Sequence, residues 1–344
     1  MTAHTSRQIV LAARPVGGTT IGDFNESDLK LVERPIRSPS EGEVLVRNIL
    51  FSVDPFQRTL MGNTPSEGML AEVGEVLRGA TVGIVEESRS ARFAQGDHVV
   101  GWLGWQEHAV ANEAALRKLD AKSAPLSTAL GVLGHTGLTA WLGSSKLIEP
   151  KPGGTFVVTN AAGSVGSLAV QLAKLKGHRV VGIAGGEDKA RYVRDELGAD
   201  VAIDYKAETF DADLAEAVPH GIDRLLDSVG GYMFETLMPH FNHKAVTFII
   251  GQIALFGDKT GKAQADRLPE LLNYIQYRDL HIQGLQVPDY FHLYPEFLSE
   301  IAPLVADGTV KYREEFVDGF EQLPNSLVRL FEGSNRGKLI VRAL

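Results

Sequence analysis

Residues 159–167, TNAAGSVGS, constrain the fold more than any other part of the chain. Gly163 and Gly166 bracket two small residues there, Ser164 and Val165. The preceding residues 154–159 (GTFVVT) read as a strand, and residues 164–176 (SVGSLAVQLAKLK) as a helix that starts at once. Val165, Leu168, Ala169, Leu172 and Leu175 fall on one apolar face at helical spacing. Residues 179–183 (RVVGI) read as the next strand. A glycine turn inside a strand–helix–strand unit lets backbone approach a pyrophosphate where a side chain would block it. The helix start adds unpaired N–H groups and a positive dipole end. Gly163, Ser164, Val165 and Gly166 are therefore candidate dinucleotide contacts.

The second strand runs into Gly182, Ile183, Ala184, Gly185 and Gly186. Sites selective for NAD carry an acidic residue near here for the ribose hydroxyls, and this chain has Ala184 and Gly185 instead. Lys189 and Arg191 follow, and cations suit a 2′-phosphate. Glu187 and Asp188 stand beside them. The competing reading makes the two cations solvated helix charges; the pattern favours NADP over NAD.

A chain of 344 residues suits two domains, since a single core rarely grows past ~250–300 residues. Residues 43–50 (EVLVRNIL), 81–86 (TVGIVE) and 98–102 (HVVGW) are short strands set off by turn residues such as Gly96 and Asp97. They predict a small barrel or sandwich. From Pro125 to Gly308 strands alternate with helices: after the first two strands come residues 200–203, 224–226 and 246–250, and a sixth at 281–287. That alternation predicts an α/β domain, a doubly wound parallel sheet. Short strands return at 310–312 and 338–341, a tail able to fold back onto the first domain.

The chain has no cysteine, which excludes disulfides, thiol nucleophiles and thiolate zinc sites. Its ten histidines form no His-x-x-x-His pair; His240 and His243 are the nearest-spaced. No metal site is expected. A net charge of −9 argues against a nucleic-acid partner. The N-terminus lacks the apolar core of a signal peptide, so the expected location is cytoplasmic, without membrane attachment.

Several motifs, in order, resemble the zinc-independent medium-chain dehydrogenase/reductases of the alkenal double-bond reductase group, which includes 15-oxoprostaglandin 13-reductase, 2-alkenal reductases and curcumin reductase. Residues 52–58 (SVDPFQR) resemble SVDPYMR, 104–108 (GWQEH) resemble GWQEY, and 134–141 (GHTGLTAW) resemble GMTGLTAY. Residues 162–167 match AGxVGS, 182–189 resemble GIAGGPEK, and 227–231 (DSVGG) resemble DNVGG. Residues 284–290 (GLQVPDY) resemble a late strand, and 333–338 (GSNRGK) resemble the closing GxNxGK. The resemblance implies a GroES-like, mostly-β catalytic domain from both chain ends (1–130 and 311–344) and a Rossmann NADPH-binding domain (131–310). It implies a homodimer. Gly163 and Gly166 would face the pyrophosphate, and Lys189 and Tyr205 the 2′-phosphate. Ser228, Gly251, Phe256, Leu285 and Val287 would line the cofactor, with Asn335 reaching it from the tail.

The chain departs from the family pattern at Phe56, His135 and Ser228, and in residues 251–257 (GQIALFG), which put Phe256 at a family tyrosine and Gly257 at an asparagine. Phe56, His135, Phe256 and Tyr290 are the substrate-pocket candidates; an apolar or aromatic enone or enal would suit them. The expected reaction is NADPH-dependent reduction of the C=C bond of an α,β-unsaturated aldehyde or ketone, with hydride added to the β-carbon and an enolate stabilised by a hydrogen-bond donor. Tyr290, His135, a cofactor ribose hydroxyl and a backbone N–H are the donor candidates, and Tyr290 and His135 each have a purely structural reading beside them. A quinone reductase and a non-enzymatic NADPH-binding protein are the alternatives.

Overall fold

The computed structural model describes residues 4–15, 24–62, 70–149, 151–256 and 267–343. It divides into two compact units, one made of Met1–Gly131 with Glu314–Leu344, the other of Val132–Arg313.

The first unit begins with β1 (His4–Leu11) and β2 (Leu29–Ile36), an antiparallel pair. Next come β3 (Glu43–Ser52), the short helix α1 (Phe56–Leu60), β4 (Thr81–Ser88), β5 (His98–Gly101), β6 (His108–Asn112) and β7 (Arg117–Leu119). The long β3 pairs with both β4 and β6. Val44, Leu45 and Val46 on it are all fully buried, as expected of a strand covered on both faces.

The second unit opens with α2 (His135–Trp141), followed by β8 (Thr155–Val158), α3 (Ser164–Leu175), β9 (Arg179–Ala184), α4 (Glu187–Asp195) and β10 (Val201–Asp204). Then come α5 (Phe210–Ala217), β11 (Ile222–Asp227), α6 (Gly231–Leu237), β12 (Phe241–Ile249), α7 (Leu268–Arg278), β13 (His281–Gly284) and α8 (Tyr294–Ala306). Among the described residues the sheet order is β10-β9-β8-β11-β12-β13, every pairing parallel. Counted within the unit, that is the 3-2-1-4-5-6 order of a dinucleotide-binding Rossmann fold, with its switch between β8 and β11.

The chain then returns to the first unit through β14 (Glu314–Asp318), α9 (Leu323–Glu332) and β15 (Lys338–Arg342). β15 pairs antiparallel with β3, Ile340 opposite Ser52, so the tail completes the sheet that the N-terminal half starts. Phe51, Trp105, Phe320, Leu327 and Leu339 share one core drawn from both ends. Lys338 is buried with them. Its ammonium donates to Asp54 Oδ1 at 2.7 Å and to the Val53 carbonyl at 2.8 Å, while Asp54 also accepts from Ser52 Oγ. Burial pushes the Lys338 pKa down, and Asp54 opposes that.

Three local expectations are corrected. Residues 310–312 are not a strand; the strand is β14, Glu314–Asp318, whose charged sequence EEFVD hides its pairing with distant β15. The sixth strand of the parallel sheet stops at Gly284, and Val287 instead opens a 3-10 turn, Val287–Leu293, with Pro288 in its first turn. Leu175 is 56% exposed although Leu168, Ala169 and Leu172 are buried and Val165 half-buried. A 12-residue α3 is about 18 Å long, whereas the four residues of β8 span about 13 Å, so the helix outruns the strand it packs on.

Candidate functional site

Apart from His135, the candidate residues of the second unit lie in the segments that follow the carboxyl ends of its strands, the edge where open α/β sheets bind ligands. β8 ends at Val158, and the chain turns through Asn160, which has φ +48°, before entering α3. The turn has no room for larger residues. A Cβ at position 166 would stand 2.3 Å from the Asn160 carbonyl oxygen and 2.8 Å from Ala161 Cα. One at position 163 would stand 2.6 Å from Asn160 Nδ2. Gly163 is the N-cap of α3, and no side chain caps the helix there. The helix start, with its dipole and small residues, therefore fits a pyrophosphate group. Ser164 Oγ donates to Thr136 Oγ1 at 2.8 Å, which ties α3 to α2.

The next strand end carries the charges. β9 and β10 run parallel with Ala184 opposite Asp204. The Tyr205 amide donates to the Ala184 carbonyl at 3.0 Å, and its side chain is 45% exposed. Gly185 lies so near the ring that a Cβ on it would meet Tyr205 Cε1 at 2.8 Å. Lys189 is the third residue of α4 and half-buried. Arg191 lies 3.7 Å from Glu187 and 3.5 Å from Asp188 on its own helix, so it matches the solvated-charge reading.

Beyond the switch point, Asp227 ends β11 fully buried. Burial pushes its pKa up, while hydrogen bonds from Thr159 Oγ1 and the Val229 and Gly230 amides pull it down. This carboxylate shapes the turn that presents Ser228, whose amide donates to Thr159 Oγ1 at 2.9 Å. Gly251 is packed on the same turn: a Cβ there would lie 3.1 Å from the Ser228 carbonyl oxygen. Leu285 is buried, with its amide on the Ile249 carbonyl at 3.0 Å, and Val287 is half-buried. Phe256 is the last residue of the short turn Ile253–Phe256, and Gly257 lies outside the described residues.

Of the remaining candidates, Tyr290 is half-buried in the turn Val287–Leu293. His135 is buried at the start of α2, where its carbonyl accepts from Thr139 Oγ1. Phe56 and Asn335 belong to the first unit. The Phe56 ring meets Trp102 edge-on at 5.5 Å, and the Asn335 amide donates to the Gly337 carbonyl at 3.1 Å. Sequence reasoning passed over Thr136, Thr159, Asp204 and Asp227. Each is a small polar or acidic residue at a strand or helix end, and only the three-dimensional pairing reveals what it bonds.

Two family models match the chain: "N-terminal domain of oxidoreductase" over residues 7–119 and "Zinc-binding dehydrogenase" over residues 164–302. The NADPH-dependent curcumin reductase of Escherichia coli is 37% identical over 338 residues, covering 98% of this chain and 96% of that protein. The chain belongs to the zinc-independent medium-chain dehydrogenase/reductases, in the alkenal double-bond reductase group. The 2-alkenal reductase (NADP(+)-dependent) of Nicotiana tabacum is 33% identical, covering 98% of this chain and 97% of that one. A crystal structure of CurA from Vibrio vulnificus in complex with NADPH superposes with a TM-score of 0.91 at 37% identity, covering 98% of this chain and 99% of that chain. The NADPH complex of E. coli quinone oxidoreductase, at 20% identity and a TM-score of 0.76, shares the fold. The first unit is thus the GroES-like β domain and the second the Rossmann domain of that family. The second family model is named for zinc, yet this chain has no cysteine. Among the described residues no group of three His, Asp or Glu is placed to hold a metal, and no helix is long and apolar enough to cross a membrane.

Proposed function

We propose that this protein uses NADPH to reduce the C=C bond of α,β-unsaturated aldehydes and ketones. The observation that carries the reading is the full-length likeness to relatives named as NADPH-dependent curcumin and 2-alkenal reductases. The tight Gly163–Gly166 turn and the uncapped start of α3 support the cofactor half. When bound, the dihydronicotinamide supplies a hydride for the β-carbon, which leaves negative charge on the carbonyl oxygen as an enolate.

In this reading Gly163, Ser164, Val165 and Gly166 hold the pyrophosphate through backbone and helix dipole. Lys189 and Tyr205 hold the 2′-phosphate. Ser228, Gly251, Phe256, Leu285 and Val287 line the cofactor. The enolate oxygen needs a donor, and Phe256 has none to give. His135 is buried at the head of α2 and stays a second candidate. Tyr290, half-buried with a phenolic hydroxyl, is the donor this reading assigns. Phe56 and Phe256 favour an apolar or aromatic enone.

The protein also forms a homodimer in this proposal. Among the described residues β13 is the edge strand of the parallel sheet, and α7 carries Leu272 at 55% exposure. A second copy would cover that edge and Leu272.

The test incubates the protein with NADPH and a panel of enones and enals. Saturated aldehyde or ketone is the expected product, with NADPH consumed in equal amount. Allylic alcohol as the product would contradict the reading. Turnover of quinones with no enone product would favour a quinone reductase, and binding of NADPH with no turnover of either class would favour a non-enzymatic protein.

A further inference from the structure

A carboxylate at the charged strand end is tied in a way the sequence does not announce. Asp204 closes β10 opposite Ala184, the place where NAD-selective sites carry an acidic residue. Its Oδ1 accepts the Gly186 amide at 2.7 Å and the Lys206 amide at 2.9 Å. Each bond has a consequence. Gly186 has φ +100°, a conformation suited to glycine, and its carbonyl accepts the amides of Lys189 at 3.0 Å and Ala190 at 3.1 Å. Holding Gly186 therefore fixes the first turn of α4 and the place from which Lys189 projects. The bond to Lys206 holds the other turn. There the Tyr205 amide is already tied to Ala184, the Tyr205 ring rests against Gly185, and the Lys206 ammonium lies 5.9 Å from that ring's centre. One carboxylate oxygen thus joins the turn that carries Lys189 to the turn that carries Tyr205 and Lys206.

We propose that Asp204 is a positioning residue for recognition of the cofactor's 2′-phosphate: it locks two neighbouring turns together, so that Lys189, Tyr205 and Lys206 present their cations and hydroxyl to one phosphate group. The proposal rests on the NADPH reading above. With both amides bonded to it, the carboxylate charge is partly compensated, which is how an acidic residue is compatible with a phosphate nearby. The Gly185–Tyr205 contact is the second half of the device, because only a residue without Cβ leaves the ring where it is.

The experiment measures calorimetric affinity for adenosine 2′,5′-bisphosphate and for adenosine 5′-monophosphate, without substrate or turnover. Wild-type protein should prefer the bisphosphate; no preference would instead sink the assignment of Lys189 and Tyr205 to the 2′-phosphate. Given that preference, Asp204→Ala should weaken bisphosphate binding about tenfold, a change of ~1.4 kcal/mol, and leave monophosphate binding within about twofold. Asp204→Asn keeps an acceptor oxygen and should retain most of the preference. Gly185→Ala leaves Asp204 untouched but displaces the Tyr205 ring, and should lower the preference in the same direction. The proposal is overturned if Asp204→Ala or Gly185→Ala keeps the wild-type ratio. It is equally overturned if Asp204→Ala weakens both ligands alike or does not fold, since the carboxylate would then be purely structural.

Discussion

Lys189 and Arg191 are two residues apart on one helix, and the sequence offers both as phosphate ligands. Their surroundings differ: Arg191 lies against Glu187 and Asp188 on its own helix face, while Lys189 is the third residue of α4, in the turn whose Gly186 amide is bonded to Asp204. Lys189→Ala should therefore raise the KM for NADPH by roughly ten- to a hundredfold, the scale of a lost charged hydrogen bond. The KM for NADH should move about twofold or less. Steady-state kinetics with both cofactors checks this, and equal shifts would remove the 2′-phosphate role. The glycine turn was legible because its constraint is local: two small residues between two glycines, read straight off the chain. Asp204 and Asp227 were not legible, since an acid at a strand end looks the same in sequence whether it meets solvent or two backbone amides.

Elements show the same division by range. The β8–α3–β9 unit is contiguous, and its apolar runs and helical spacing predict it directly. β14 pairs with β15 across the whole of α9, so its charged residues carried no sign of strand structure. The buried Lys338–Asp54 pair is the other long-range feature, joining the last strand to the segment before α1. Removing one partner leaves a buried charge uncompensated, at a cost of ~3–5 kcal/mol, whereas apolar replacement of both is often close to neutral. In urea denaturation Lys338→Met should fall by about that amount, and Lys338→Met with Asp54→Leu should recover much of it. A double variant no more stable than the single one would show that the pair adds net stability.

At the scale of the whole molecule, composition excluded more than it specified. The lack of cysteine and the acidic balance removed thiolate zinc chemistry and nucleic acid from consideration, while the family rests on motifs strung along nearly the full length. The homodimer belongs to this scale too. Sedimentation velocity should find a dimer, and Leu272→Glu, on the exposed face of α7, should shift it towards monomer; a monomeric wild type would refute that assembly. The substrate side remains the least sequence-determined half of the account, because Phe56 and Phe256 stand where the family pattern has tyrosine. The claim that joins cofactor to substrate is hydride delivery to a conjugated carbon. It is tested most directly with NADPH carrying deuterium at the transferred position of the nicotinamide, a cyclic enone as acceptor, and mass and NMR analysis of the product. Deuterium on the β-carbon of a saturated ketone is the predicted result; deuterium on the carbinol carbon of an allylic alcohol would contradict it.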